Sequence, residues 1–123
     1  MEKHKKKILI IEDNDQNRQL VSKILTYHGY EVAEARNGEE GVRLAKELLP
    51  DLLLLDIQMP VMDGFAVIKE LRNHEAARYL KIIALTSFAM PSDRERILKA
   101  GFDDYIVKPI DTRQFADLIR KHI

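Results

Sequence analysis

A chain of 123 residues is long enough to bury a full domain core, so neither a disulfide nor a structural metal is needed for folding. It contains no cysteine, which excludes disulfides, thiolate metal sites and cysteine nucleophiles and fits a reducing compartment. Its 20 lysines and arginines balance 20 aspartates and glutamates, so the net charge gives no reason to expect wholesale binding to nucleic acid or to an anionic membrane.

The opening Met1-Glu2-Lys3-His4-Lys5-Lys6-Lys7 is basic, and residues 1–6 are expected to fray into solvent. The apolar run Ile8-Leu9-Ile10-Ile11 behind it stops at Glu12, too soon for a signal peptide. No later stretch is long enough for a membrane-spanning helix, and a cytoplasmic protein is the expectation. Residues 8–11 read instead as a buried parallel strand, being too short for a helix and too continuous for a strand wet on one face.

A helix follows, with Leu20, Val21, Ile24 and Leu25 as its apolar anchors and Gly29 as its stop. Residues 30–35 alternate apolar and polar, as an edge strand does. Asn37 and Glu40 have the spacing of a capping pair and open a second helix over 39–49, which Pro50 closes. Residues 52–55 are four leucines, a core strand ending in Asp56, and Asp63 caps a third helix from Gly64-Phe65. Residues 82–85 repeat the buried-strand pattern. Ser92 with Glu95 predicts the start of a fourth helix over 92–100, stopped by Gly101 and anchored by little more than Ile97 and Leu98. Tyr105-Ile106-Val107 gives a fifth strand, and Asp111 with Gln114 starts the last helix. Five strand–helix units in strict alternation predict one doubly wound α/β domain over residues 1–123, a (βα)5 parallel sheet covered on both faces.

In such a sheet, ligands bind beyond the carboxyl ends of the strands. The first strand ends in Glu12-Asp13, the third in Asp56, the fourth in Thr86-Ser87 and the fifth in Lys108-Pro109. With strand order 2-1-3-4-5, three carboxylates converge on one edge, where they repel unless cations are supplied. Lys108 supplies one charge. A divalent ion taking hard oxygen ligands supplies the rest, and Mg2+ fits that donor set.

Glu12-Asp13, Asp56-Ile-Gln-Met-Pro, Met62-Asp63-Gly64, Thr86 and Lys108-Pro109, in this order, resemble the receiver domain of two-component response regulators. The similarity runs from Lys7 to about Ile119, and "GFDDYIVKPID" is similar both to single-domain regulators of cell-cycle type and to receivers of hybrid histidine kinases. The resemblance implies a flavodoxin-like sheet of order 2-1-3-4-5 and a phosphorylation-driven signalling switch rather than an enzyme acting on other molecules. Asp56 would accept a phosphoryl group from the phosphohistidine of a histidine kinase or histidine phosphotransfer protein. Asp13, Asp56 and the backbone carbonyl of Gln58 would bind Mg2+, with Glu12 acting through water. Thr86 and Lys108 would contact the phosphoryl oxygens, Tyr105 would be the switch aromatic, and the Lys108-Pro109 bond would be cis. Gln58 and Phe88 stand where the family tunes phosphoryl lifetime, and Phe88 is apolar where an acid or amide is often found.

Each residue taken singly has a plainer reading. Asp13-Asn14-Asp15 could merely open a helix, Asp63-Gly64 reads as a cap and turn, and Tyr105 could be ordinary core. His4, His28, His74 and His122 have no metal spacing and read as solvated surface. A haloacid-dehalogenase type of phosphatase would need an aspartate where Gln58 stands. A flavin-binding protein would need a phosphate loop where Glu12-Asp13-Asn14-Asp15 stands. A receiver serving as an unphosphorylated binding module would lack site residues that are all present here. No DNA-binding or catalytic segment follows Ile123 in this sequence, so output through a downstream protein partner is expected. A phosphoryl carrier without conformational output, and the receiver segment of a hybrid histidine kinase, stay open as alternatives.

Overall fold

A computed structural model describes residues 5–88 and 90–123. The elements in chain order are β1 (Lys7–Ile11), α1 (Asp15–Tyr27), β2 (Glu31–Ala35), α2 (Gly38–Leu48), β3 (Leu52–Asp56), α3 (Gly64–Arg72), β4 (Ile82–Thr86), α4 (Pro91–Lys99), β5 (Asp104–Val107) and α5 (Thr112–His122). All five strands join one parallel sheet, as the alternation predicts, in the order β2-β1-β3-β4-β5 that the resemblance implies. The basic residues 1–4 lie outside the described residues, and Lys5 and Lys6 are exposed.

Side chains alternate across a strand, so each central strand feeds two cores. Ile8, Ile10, Leu52, Leu54, Ile83 and Leu85 pack under α1 and α5, against Val21, Leu25, Phe115 and Ile119. Leu9, Ile11, Leu53, Leu55, Ile82 and Ala84 pack under α2, α3 and α4, against Val42, Val67, Ile68 and Ile97. The fifth strand is less buried than its apolar run predicts, because the strand order puts it at the open edge, where all four residues are half-buried.

Most helix boundaries follow the expected chemistry. The Asn37, Asp63 and Asp111 side chains accept bonds from the first-turn amides of α2, α3 and α5. Gly29 and Gly101 take the left-handed backbone that ends α1 and α4. The Ser92–Glu95 cap is not formed. The fourth helix begins at Pro91, whose fixed φ suits a first helical position, and the Asp93 carboxylate takes the Met90 amide at 3.2 Å. A short 3-10 turn, Ala77–Tyr79, lies between α3 and β4.

Three further expectations need revision. Leu20 is 46% exposed, because Arg18, Val21 and Leu25 define the inward line of α1 and Leu20 falls off it. His122 is not solvated: its Nε2 lies 2.8 Å from Asp104 Oδ2, tying the end of α5 to β5. His74 accepts the Ala77 amide at its Nδ1. The weak grip expected of α4 is present, with Ile97 as its single buried residue. Its carboxyl end is nevertheless held, because the Arg72 guanidinium at the end of α3 donates to the carbonyls of Arg78, Leu80 and Gly101.

Gly64 sets the loop between β3 and α3 down on the strand it leaves. Its amide donates to the Ile57 carbonyl at 2.9 Å, and a Cβ there would stand 2.7 Å from Ile57 Cα and 2.8 Å from the Asp56 carbonyl oxygen. Both neighbours are backbone and cannot rotate aside. Gly64→Ala is therefore expected to destabilise the fold by about 1–3 kcal/mol, the usual cost of overpacking, read as a lower urea midpoint.

Candidate functional site

The two-residue period that buries Ile8 and Ile10 places Glu12 on the same side of β1, and the period of Leu52 and Leu54 does the same for Asp56 on β3. The two strands are neighbours in register, Ile10 beside Leu54, so their next residues bring two carboxylates together at the sheet's carboxyl edge. Both are buried, Glu12 at 0% and Asp56 at 1% exposure. Asp13 is exposed and follows directly, and one carboxylate oxygen from each of the three lies within 4.8 Å of the others.

Lys108 reaches this pair from beyond β5. Its Nζ donates to Glu12 Oε1 at 2.9 Å and to Asp56 Oδ1 at 3.1 Å. The Lys108–Pro109 peptide is cis, as the resemblance implies. Among the described residues, Glu12 Oε2 is buried with no hydrogen-bond partner.

One ammonium against two buried carboxylates leaves an excess of negative charge. Burial, and then the Glu12 carboxylate beside it, push the Asp56 carboxyl up to about 8, with Lys108 offsetting only part of the rise. Burial also presses the Glu12 carboxyl upward. Hydrogen bonds with Asp56 and Lys108 outweigh that effect and hold Glu12 below its usual range. Burial disfavours the Lys108 ammonium, yet the bond to Glu12 and the two negative charges hold it above its usual value. Asp56 is thus the member of the pair that keeps its proton into the neutral range. Three hard carboxylates and an unsatisfied buried oxygen are a donor set that fits a small oxygen-seeking ion such as Mg2+.

The remaining expected residues surround this centre. Thr86 is fully buried at the end of β4, and its Oγ1 accepts the Phe88 amide at 2.9 Å. Gln58 is exposed, donates its amide to Asp56 Oδ1 at 3.2 Å, and accepts the Ser87 amide at its side-chain oxygen at 3.3 Å. It thereby bridges the loops after β3 and β4. Tyr105 is half-buried on β5, packed against the core beneath α2, α3 and α4, with the Arg94 guanidinium 5.6 Å from its ring. A groove beside Lys108 is lined by Asn17, the exposed Leu20, Ser87, Pro109 and Ile110.

Sequence reasoning missed Arg18. It sits on the apolar line of α1 with Val21 and Leu25, is 6% exposed, and donates Nη1 to the Glu12 carbonyl at 3.0 Å. A charge on an otherwise buried stripe, four residues into a helix that starts from an acidic loop, was the available signal.

Residues 8–120 match the family model described as the response regulator receiver domain. The polar-differentiation response regulator DivK of Brucella anthropi is 41% identical over 118 residues, covering 96% of this chain and 96% of that protein. The chemotaxis protein CheY4 of Vibrio cholerae superposes with a TM-score of 0.92 at 28% identity, over 98% of this chain and 100% of that one. The receiver domain of sensor histidine kinase PA1611 from Pseudomonas aeruginosa PAO1, solved with a magnesium ion coordinated in its active site cleft, gives a TM-score of 0.88 at 35% identity, over 96% of this chain and 97% of that one.

The charge excess has a consequence for stability. In the unfolded chain Asp56 ionises near pH 4, whereas in the folded, metal-free chain it keeps its proton to about 8. The folded state thus binds the extra proton across that interval, and the stability that proton provides is lost as pH rises through it. The depressed Glu12 acts in the opposite sense, below its ordinary pKa of 4.5, and Lys108 acts above 10.5, so neither cancels the slope between. Without divalent ions, Asp56→Asn is expected to flatten this decline and to raise stability at pH 8, read from urea melts at several pH values. An unchanged pH profile in the variant would show that the buried carboxyl is not the source.

Proposed function

Because this chain belongs to the response regulator receiver domain family, whose members work in two-component signalling rather than as classical enzymes, we propose that it is a phosphorylation-driven switch with Asp56 as the phosphoryl acceptor. The observation that carries the reading is the Asp56 carboxylate at the end of a buried strand, 3.1 Å from Lys108 Nζ and grouped with Glu12 and Asp13.

An ionised Asp56 oxygen attacks the phosphorus of a partner's phosphohistidine in line. A P–O bond forms as the P–N bond breaks, and the imidazole nitrogen leaves with the bonding pair. Such a transfer asks the protein mainly for alignment and for positive charge on the equatorial oxygens. Lys108 provides one such charge by turning from Asp56 to the incoming phosphoryl group. Asp13, Asp56 and the Gln58 carbonyl would hold Mg2+, with Glu12 acting through water, and the ion supplies further positive charge when bound. Asp56 would hold the ion in its ionised form, which is also its nucleophilic form. The groove of Asn17, Leu20, Ser87 and Ile110 beside Lys108 suits a histidine kinase or histidine phosphotransfer protein presenting its phosphohistidine.

The response rests on Thr86 and Tyr105. Thr86 would exchange its bond from the Phe88 amide for one to a phosphoryl oxygen, moving the loop that leads into α4 and vacating space for the Tyr105 ring. With Ile97 as the one buried side chain of α4, its surface with β5 and α5 is the face a downstream protein would sense. Participation of all five strands in one sheet supports a single receiver domain over residues 1–123. Among the described residues no helix is long and apolar enough to cross a membrane.

With Mg2+ and acetyl phosphate, the protein is expected to gain one acid-labile phosphoryl group, found at Asp56 by mass spectrometry of its peptides. Full incorporation in Asp56→Asn would remove the assignment. Beryllofluoride with Mg2+ should shift amide resonances of β4, α4 and β5 more than those of α2, and Thr86→Ala should suppress the shifts in α4 and β5 while leaving Asp56 reactive. Shifts confined to residues touching the ion and the phosphoryl group would leave a carrier without a switch.

A further inference from the structure

The carboxyl edge of the sheet carries more acid than the ion site uses. Beside Glu12, Asp13 and Asp56, Asp15 on α1 and Glu34 on β2 meet the guanidinium that also holds the Glu12 carbonyl, and two cations divide four of these five carboxylates between them. Lys108 takes Glu12 and Asp56. The Arg18 guanidinium takes the other two, with Nε on Glu34 Oε1 at 3.2 Å and Nη2 on Asp15 Oδ1. Its remaining Nη1 donates to the Glu12 carbonyl at 3.0 Å, so the same planar group grips the backbone from which Glu12 and Asp13 extend. Arg18 is buried, and a buried guanidinium with three separate acceptors is held in one geometry.

Resting on the reading of Asp56 and its neighbours as a Mg2+-dependent phosphoryl site, we propose that Arg18 is a positioning residue that sets which ion the site prefers. By fixing the Glu12 carbonyl it holds the Asp13 carboxylate in one place. By drawing Asp15 and Glu34 onto itself it keeps two further carboxylates from turning toward the ion. Mg2+ takes few carboxylates and tolerates little departure from a small octahedron, whereas Ca2+ accepts six to eight oxygens in loose geometry. A stiff site of three carboxylates favours the first. A loosened loop with Asp15 free to join favours the second. Arg18 touches neither ion nor phosphoryl group and acts entirely through Glu12, Asp15 and Glu34.

Calorimetric titration of the full chain with MgCl2 and with CaCl2 tests this. The wild type should prefer Mg2+. Arg18→Gln should weaken Mg2+ binding about tenfold, the scale on which groups behind metal ligands act, while Ca2+ binding weakens less or improves, so that the ratio of the two affinities moves several-fold toward Ca2+. Adding Asp15→Asn to Arg18→Gln should return much of that ratio. Should Arg18→Gln fail to fold, as judged by circular dichroism, Arg18→Lys carries the same test, since one ammonium cannot hold three divergent acceptors at once. Unchanged affinities, or equal losses for both ions, would overturn the inference and leave Arg18 a structural residue. Such a result alongside wild-type phosphorylation of Asp56 would leave the proposed function intact, whereas a wild type that binds neither ion would remove both.

Discussion

A single ammonium group shared by two buried carboxylates is the constraint around which the molecule is arranged. Lys108 lies 96 residues from Glu12 and 52 from Asp56 along the chain, and only the side-by-side packing of β1 and β3, with β5 two strands further on, brings the three together. Burying that much charge is unfavourable in itself. Nearly continuous apolar strands on both faces of the sheet offset it, because Ile8 to Ile11 and Leu52 to Leu55 are all fully buried. The position of Asp56 at the end of four leucines therefore has two aspects. The strand fixes the carboxyl rigidly and removes it from water, and both effects leave it short of a compensating positive charge.

The same shortage explains why the surrounding hydrogen bonds are arranged as they are. Gln58 and Thr86 both bond to the loop after β4, Gln58 through the Ser87 amide and Thr86 through that of Phe88. The resting loop is thus held by groups that flank the Asp56 carboxyl, and an anion arriving there would draw on the Thr86 hydroxyl proton. Little else restrains the segment that follows, since α4 keeps one buried side chain and otherwise rests on contacts such as Arg94 over Tyr105 and Arg96 over Phe65.

Much of this was legible in the sequence because apolar runs end where strands leave the core, and Glu12, Asp56, Thr86 and Lys108 each stand at such an end. Parallel pairing followed from the strict alternation of strands and helices, and the strand order from the family resemblance. Reach was not legible. Arg18 and Arg72 act through long side chains on backbone carbonyls far from their own neighbours in sequence, and no local pattern states which carbonyl a guanidinium will find. Leu20 was misjudged because three of the four apolar residues in its segment do face inward or partly so, and the periodicity of the stripe alone assigns the odd one. His122 was misjudged because its partner, Asp104, belongs to a different element. At Ser92 two start signals compete, and the proline beside it takes precedence.

The clamp at Arg72 determines how α4 can move. With the Gly101 carbonyl gripped by two nitrogens at 3.1 and 2.7 Å, the carboxyl end of that helix behaves as a hinge and its amino end, next to Thr86, as the free end of a lever. Nine residues make an arm of ~13 Å, so a tilt of about 10° carries the free end roughly 2 Å while the pinned end hardly shifts. Any such displacement would therefore be greatest beside Thr86 and fade along the helix. A protein reading this surface would gain most sensitivity by gripping the first turn of α4, and one bound only near Lys99 would register little of the change.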